Sequence, residues 1–292
     1  MEDLIEIAGG ALLGLCIGAL ALAFPFRRSS FRPTLLRDIG AAIASVGFAV
    51  AADLFLEMPE GSFRRQLDGW YAALHEVPFW LVVLAYIVFA DFCAYWAHRA
   101  LHTRWLWPTH AWHHSPQHLY WIAGLRGSPI HMLVISIPYY LAFALFPVPE
   151  AGAIALVLFL IDTSNQHYLH SNLRVPFAAR LERLLVTPRF HFVHHSAREQ
   201  VANSNYGFIF SLWDRMFGTF TDPANVPGDD PLGLGYEISG WRLMLGLPAA
   251  GGRVMPELVS RLFRHDIATV GKPRFVGPFV DELVVTIRRS RP

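Results

Sequence analysis

The chain has 292 residues, of which 53% are hydrophobic and 16% are charged, and its formal net charge at pH 7 is +1. Soluble domains have roughly 45–50% apolar and about 25% charged residues, so this composition indicates a membrane protein. The near-neutral charge and the lack of a basic tract give no reason to expect a nucleic-acid partner. Both cysteines, Cys16 and Cys93, lie in apolar segments, which argues against a disulfide framework and favours a reducing compartment for the polar part.

Five apolar segments are candidate membrane spans. They cover residues 4–24, 40–56, 79–97, 130–147 and 150–165, with the turn sequence FPVPE between the last two. The first segment is long for a cleavable signal and acidic residues precede it, so we expect it to remain as an anchor. We therefore predict an all-α integral membrane helical bundle with four or five spans.

Basic residues set the expected orientation of this bundle. Arg27, Arg28, Arg32 and Arg37 cluster after the first segment, and loops rich in arginine remain in the cytoplasm. With the spans counted from there, residues 98–129 and the chain from about 166 onward also face the cytoplasm. The sequence thus predicts a cytoplasmic cap on the bundle.

This cap is rich in histidine. Of the 14 histidines, 12 lie between positions 98 and 195. Residues at i, i+3 and i+4 share a helix face, so histidines at these spacings can converge on one metal or on two neighbouring metals. Neutral imidazole suits iron, zinc, copper and nickel, and an all-histidine site for two metals needs about eight to ten ligands. Four groups supply them: HRALH (His98, His102), HAWHH (His110, His113, His114), QHYLH (His167, His170) and HFVHH (His191, His194, His195).

The other histidines fit this pattern less well. His75 falls in a loop on the opposite side and His265 in the tail, so we expect both to be structural. His118 and His131 are left open as metal ligands. The chain lacks the H-E-x-x-H string of zinc hydrolases.

Three histidine motifs and one downstream string carry a resemblance to a known family. H-x-x-x-H, H-x-x-H-H and a second H-x-x-H-H are followed closely by NYGFIFSLWDRMFGTF. Over about residues 80 to 222 the chain resembles the fatty acid hydroxylase and sterol desaturase superfamily of integral-membrane oxygenases. The resemblance implies a histidine-ligated centre of two iron ions on the cytoplasmic side, dioxygen as co-substrate, and hydroxylation or desaturation of a lipid.

The resemblance also bears on individual residues. The family's histidine four residues after a glutamine matches His170 after Gln166, which makes His167 an extra candidate. Some members have a ligand where this chain has Ser128, which puts His131 in doubt. We predict three parts: membrane spans and connecting loops in residues 1–78, a hydroxylase-like catalytic domain in 79–222 and a cytoplasmic tail in 223–292.

Polar groups near the histidines are candidates to orient them. Asp91 lies seven residues before His98 on the same predicted helix face, so we predict that it accepts a hydrogen bond from a ligating imidazole, with a bond between helices as the alternative. Asn205 or Asn203 is expected to support an imidazole of the last triplet with its polar side chain. The alternative is that these residues only form a turn. Asp162 lies eight residues before His170 and has the same two interpretations as Asp91: a hydrogen bond to a ligating imidazole, or a bond between helices.

Two functions remain open from the sequence. Attack on an unactivated C–H bond requires a redox metal, because no side chain supplies such an oxidant. The chain has no recognisable electron-carrier domain, so a separate protein must donate electrons to an oxygenase of this kind. The alternative is a non-catalytic membrane protein that binds zinc or haem with the same ligands.

Overall fold

The computed structural model describes residues 2–27, 34–147 and 165–249. This part of the chain is helical and has isolated β-bridges but no strands, which confirms the predicted all-α class. All of it belongs to one compact unit, Met1–Val254. The division at residues 78 and 222 stays a prediction, and residues 250–292 of the predicted tail lie outside the described residues.

The helices vary greatly in length. The long ones are α1 (Glu2–Ala23), α2 (Leu35–Arg64), α4 (Phe79–Leu101) and α6 (Pro129–Leu145). The short ones are α3 (Asp68–His75), α5 (Trp107–His114), α7 (165–169), α8 (Ala178–Leu181), α9 (Pro188–His194), α10 (Glu199–Ala202), α11 (Leu212–Met216) and α12 (Gly240–Met244). Short 3-10 helices cover Ala123–Leu125 and Pro223–Asn225.

Within residues 2–27, 34–147 and 165–249, two helices are long and apolar enough to cross a membrane: Leu35–Leu56 within α2, and α4. Shorter apolar helices cover Ala8–Ala23 and Pro129–Leu145. These four coincide with four of the five predicted spans. The fifth, 150–165, lies outside the described residues except for its last position.

Helix α6 packs against both α2 and α4. At its contact with α4, the small side chains of Ala90 and Ala142 are buried beside Tyr86, and the rings of Phe143 and Phe146 pack around them. Alanine lets the two helix axes approach, and the aromatic rings fill the remaining volume. This contact fixes α4, whose last turn carries the first histidine motif.

Helix α1 packs on the loop that follows α5. A Cβ atom at Gly14 or Gly18 would lie 2.4 or 2.5 Å from the Trp121 indole, closer than real contacts allow. Glycine is therefore required at both positions for α1 to lie against the tryptophan.

A proline in the first turn marks the start of each short helix with a histidine triplet, and α9 also has a polar N-cap. Pro108 stands in the first turn of α5 and Pro188 in that of α9, where a missing N–H costs no helical hydrogen bond. The Thr187 hydroxyl caps α9 by accepting from the Phe190 N–H at 3.3 Å. Each triplet thus starts at a fixed point on its helix.

Candidate metal centre

Nine of the ten predicted histidine ligands lie in two buried groups. Within each group the potential ligand nitrogens are all within 4.8 Å of one another, and neither group includes a carboxylate. The first group contains His98, His102, His110, His114 and His194, and the second contains His113, His170, His191 and His195.

Both triplets divide between the groups by helical position. In α5, the i and i+4 residues His110 and His114 join the first group, whereas His113 joins the second. In α9, the i+3 residue His194 joins the first group, and the i and i+4 residues join the second. Residues four apart differ by about 40° around a helix axis. The i and i+4 side chains therefore point toward the same group, whereas the i+3 side chain points toward the other group.

Backbone carbonyls fix the ring orientation in the second group. His113 Nδ1 lies 3.1 Å from the Arg126 carbonyl oxygen, and His170 Nδ1 lies 2.8 Å from that of Gln166. A carbonyl oxygen only accepts, so each Nδ1 carries the hydrogen. In a neutral imidazole the other nitrogen, Nε2, then has only a lone pair.

These two lone pairs face each other. The Nε2 atoms of His113 and His170 are 3.1 Å apart, and neither has a hydrogen for a bond between them. Burial lowers the pKa of His170 to about 4 and that of His113 well below its usual value, so both rings are neutral at pH 7. Such a contact repels unless a cation lies beside both nitrogens, and the pair therefore fits a metal site.

The other contacts between Nε2 atoms within each group have lengths similar to that of the His113–His170 contact. Nε2 atoms are 3.0 Å apart for His170 and His191, and 3.1 Å apart for His191 and His195. In the first group, His110 Nε2 lies 3.2 Å from that of His98 and 3.1 Å from that of His114. Two ligands each about 2.1 Å from one metal, at right angles, are about 3.0 Å apart. The spacing therefore suits shared coordination.

Unpartnered nitrogens point to the same conclusion. His102 Nε2 and His194 Nε2 are buried and have no hydrogen-bond partner. Burying a polar atom without a partner is costly, and a metal bound by the first group would remove that cost at both nitrogens.

The segment Asn203–Tyr206 supplies partners for three rings of the first group. His98 Nδ1 donates to the Tyr206 carbonyl at 2.9 Å, and His194 Nδ1 donates to that of Ser204 at 2.8 Å. The Asn203 side-chain oxygen lies 3.2 Å from His102 Nδ1. Of the two predicted asparagines, Asn203 therefore contacts an imidazole. The two carbonyls had no sequence signal, because any residue type supplies one.

Asn205 has a different environment from the predicted one. Its backbone is left-handed, with φ of 59°, a conformation that asparagine tolerates better than most residues. Its side-chain nitrogen donates to the carbonyls of Phe190 and Thr221 at 3.2 and 3.0 Å, and its side-chain oxygen accepts from the Thr221 N–H at 2.8 Å. Asn205 thus joins the 203–206 segment to α9 instead of contacting an imidazole.

Asp91 also lies away from the imidazoles. Its carboxylate accepts from the N–H groups of Ile209 and Phe210 at 2.9 and 3.0 Å and from Trp213 Nε1 at 2.8 Å. The seven residues between Asp91 and His98 correspond to about 10 Å along a helix. At that depth the carboxylate meets the loop before α11, so the predicted bond to an imidazole is replaced by bonds that hold this loop.

The remaining predicted residues are separate from both groups. His167 packs against Trp121, with ring centroids 5.3 Å apart, because it faces α1 while His170 faces the other histidines. His131 lies outside the groups but contacts His110 at 2.8 Å. His75 is exposed at the end of α3. Asp162 and His265 lie outside the described residues.

Comparison with known proteins finds a family and several relatives that are similar to this part of the chain. Residues 83–219 match the model of the fatty acid hydroxylase family. Human lathosterol oxidase is 29% identical over 192 residues, which cover 61% of this chain and 60% of that protein. Alkylglycerol monooxygenase of Xenopus tropicalis is 31% identical over 185 residues, or 59% of this chain and 40% of that protein. A Delta(7)-sterol 5(6)-desaturase of Gibberella zeae is 32% identical over 148 residues, or 47% and 37%.

The chain spans less than two thirds of the length of these relatives, and no solved structure matches it. The described residues include long apolar helices and two buried imidazole groups, which lie at the end of α4 and on neighbouring short helices. Because each group could hold a metal ion, these features define the class of an all-helical protein with a candidate two-metal centre. Over residues 83–219 the chain is similar to the fatty acid hydroxylase family, in agreement with the resemblance that the histidine motifs carry.

Proposed function

We propose that this protein is a membrane-bound di-iron oxygenase that hydroxylates or desaturates a lipid with dioxygen and electrons from a separate donor protein. The observation that carries the proposal is the 3.1 Å contact between the Nε2 lone pairs of His113 and His170. The names of the relatives, lathosterol oxidase, alkylglycerol monooxygenase and sterol desaturase, support lipid oxidation over the non-catalytic alternative.

The five imidazoles of the first group would hold one iron, and the four of the second group the other. Iron, when bound, would supply the redox chemistry with dioxygen that a C–H bond requires and that amino-acid side chains lack. Zinc would fit the same nitrogens but is redox-inert. His167 is outside this ligand set, because it packs against Trp121.

The chain's own residues keep the centre neutral, oriented and dry. Every histidine of both groups is buried, and burial lowers the pKa of the α5 and α9 rings well below the usual value. The lone pairs therefore stay available for metal at ordinary pH. The Nδ1 hydrogen bonds to carbonyls fix which nitrogen faces the metal.

The membrane topology is part of the proposal. We propose four or five spans, with the histidines and residues 223–292 on the cytoplasmic side. Support comes from the length of α2 and α4 and from large apolar side chains that they and α1 leave exposed, such as Leu22 at 67% and Ile43 at 69%. The arginines between positions 27 and 37 favour the cytoplasmic side for the adjoining loop.

Isotope-labelled dioxygen tests the activity. Lipid extracts are compared by mass spectrometry after incubation of membranes that contain the wild-type protein or the His113→Ala variant. We expect the wild type alone to produce lipids that have gained one labelled oxygen atom or lost two hydrogen atoms. Lipid profiles that are identical for the two samples, with iron-loaded wild-type protein present and a reductant supplied, would contradict the proposal.

A further inference from the structure

His131 is a buried histidine beside the first group and not a member of it. Its Nδ1 atom lies 2.8 Å from Nδ1 of His110, and the two ring planes differ by only 9°. Face-to-face stacking keeps atoms about 3.5 Å apart or more. The shorter distance therefore places the contact largely within the ring planes, as a hydrogen bond between two nitrogens requires.

We infer that His131 is a positioning residue that fixes the ring of His110 for metal binding. This inference rests on the proposed function. If His110 Nε2 binds metal, that nitrogen has no hydrogen, so the hydrogen of a neutral His110 lies on Nδ1 and is donated to His131 Nδ1. The hydrogen of His131 then lies on its own Nε2.

The start of α6 holds His131 in place. The hydroxyl of Ser128, the N-cap residue, accepts from the His131 N–H at 3.4 Å and donates to the Thr109 carbonyl at 2.6 Å. Thr109 directly precedes His110 in α5, so this one hydroxyl links the backbones on which the two imidazoles are mounted. A Cβ atom at Gly127 would meet Met132 Sδ first and would also lie 2.7 Å from His131 Cδ2, so the His131 and Met132 side chains together occupy space that only glycine leaves free.

His131 fills a role that backbone carbonyls fill for other rings. His98 and His194 donate from Nδ1 to carbonyl oxygens, whereas the partner of His110 is a side chain. A carbonyl cannot be removed by substitution, but His131 can. The contact is therefore a place where ligand orientation is open to a direct test.

The test compares His131→Leu with His131→Asn. Leucine offers no acceptor, whereas the asparagine oxygen can lie near the former Nδ1 and accept from His110. We expect His131→Leu to lower the affinity for iron by about 10–100-fold, the usual loss for a missing partner of a metal ligand, and His131→Asn to restore most of it. The readout is iron retained per chain in the purified full-length protein against a competing chelator.

Two further variants make the result specific. His118→Leu removes a half-buried histidine outside both groups and should retain iron like the wild type. Gly127→Ala keeps the His131 imidazole but brings a Cβ atom too close to both Met132 Sδ and His131 Cδ2. The imidazole and Met132 must both shift, so this variant should weaken iron retention in the same direction as His131→Leu. This variant tests whether the position of the His131 ring matters for iron retention while the ring itself is still present.

Wild-type retention in His131→Leu, or an equal loss in the leucine and asparagine variants, would overturn the inference and leave the proposed function intact. A wild-type protein that binds no iron would instead contradict the proposed function itself. If the leucine variant does not accumulate as folded protein, the comparison of Gly127→Ala with wild type decides, and unchanged retention in that variant overturns the inference.

Discussion

Replacing His170 with alanine should remove iron from the second group and abolish lipid oxidation. The group has four imidazoles, and His170 Nε2 lies within 3.0–3.1 Å of those of His191 and His113. The variant leaves three imidazoles in the group. The site then lacks one metal-binding nitrogen and the arrangement of ligands that the His170 ring completes. We expect iron affinity at this group to fall by more than the roughly 100-fold that loss of an outer partner costs.

Iron per chain and product per chain, measured on one preparation, check this expectation. His75→Ala is the control, because His75 is exposed at the end of α3 and outside both groups. It should match the wild type in both quantities. Full activity in His170→Ala with unchanged iron would show that the second group is not a metal site.

Replacing Asp91 with alanine should destabilise the protein strongly without changing the ligand set. The substitution removes the acceptor of three hydrogen bonds, from the Ile209 and Phe210 N–H groups and the Trp213 indole. Each buried donor left unsatisfied costs about 1–3 kcal/mol. We therefore expect the free energy of unfolding to fall by about 3–5 kcal/mol, given that part of the loss is recovered by relaxation.

Melting temperature and iron per folded chain separate this role from the one that the sequence predicted. Asp91→Asn keeps one side-chain oxygen as an acceptor, so its melting temperature should lie between those of the wild type and Asp91→Ala. Both variants should retain iron while folded. A loss of iron retention at an unchanged melting temperature would restore the prediction that Asp91 supports a ligating imidazole.

Sequence spacing predicted which histidines lie together where helix periodicity decides the arrangement. The i, i+4 pairs His98 and His102, His110 and His114, and His191 and His195 each lie in one group. This follows from helix geometry alone. The spacing did not decide whether all the histidines face one metal or divide between two. The group that each i+3 histidine joins depends on how α4, α5 and α9 pack together.

Residues whose roles depend on long-range packing were not predictable in the same way. The partners of Asp91 lie about 120 positions further along the chain, beyond the reach of helix periodicity. His167 shares a short helix with His170, yet the packing of α1 on Trp121 gives it a different environment. The carbonyls of Ser204 and Tyr206 belong to an irregular segment, whose path no periodic pattern encodes.

Elemental analysis of the intact purified protein tests the central claim most directly. After reconstitution with ferrous iron and removal of excess metal, we expect about two iron ions per chain, one for each imidazole group, and about one in the His170→Ala variant. A folded wild-type protein that retains no iron, or that retains as much as its His170→Ala variant, would contradict the account.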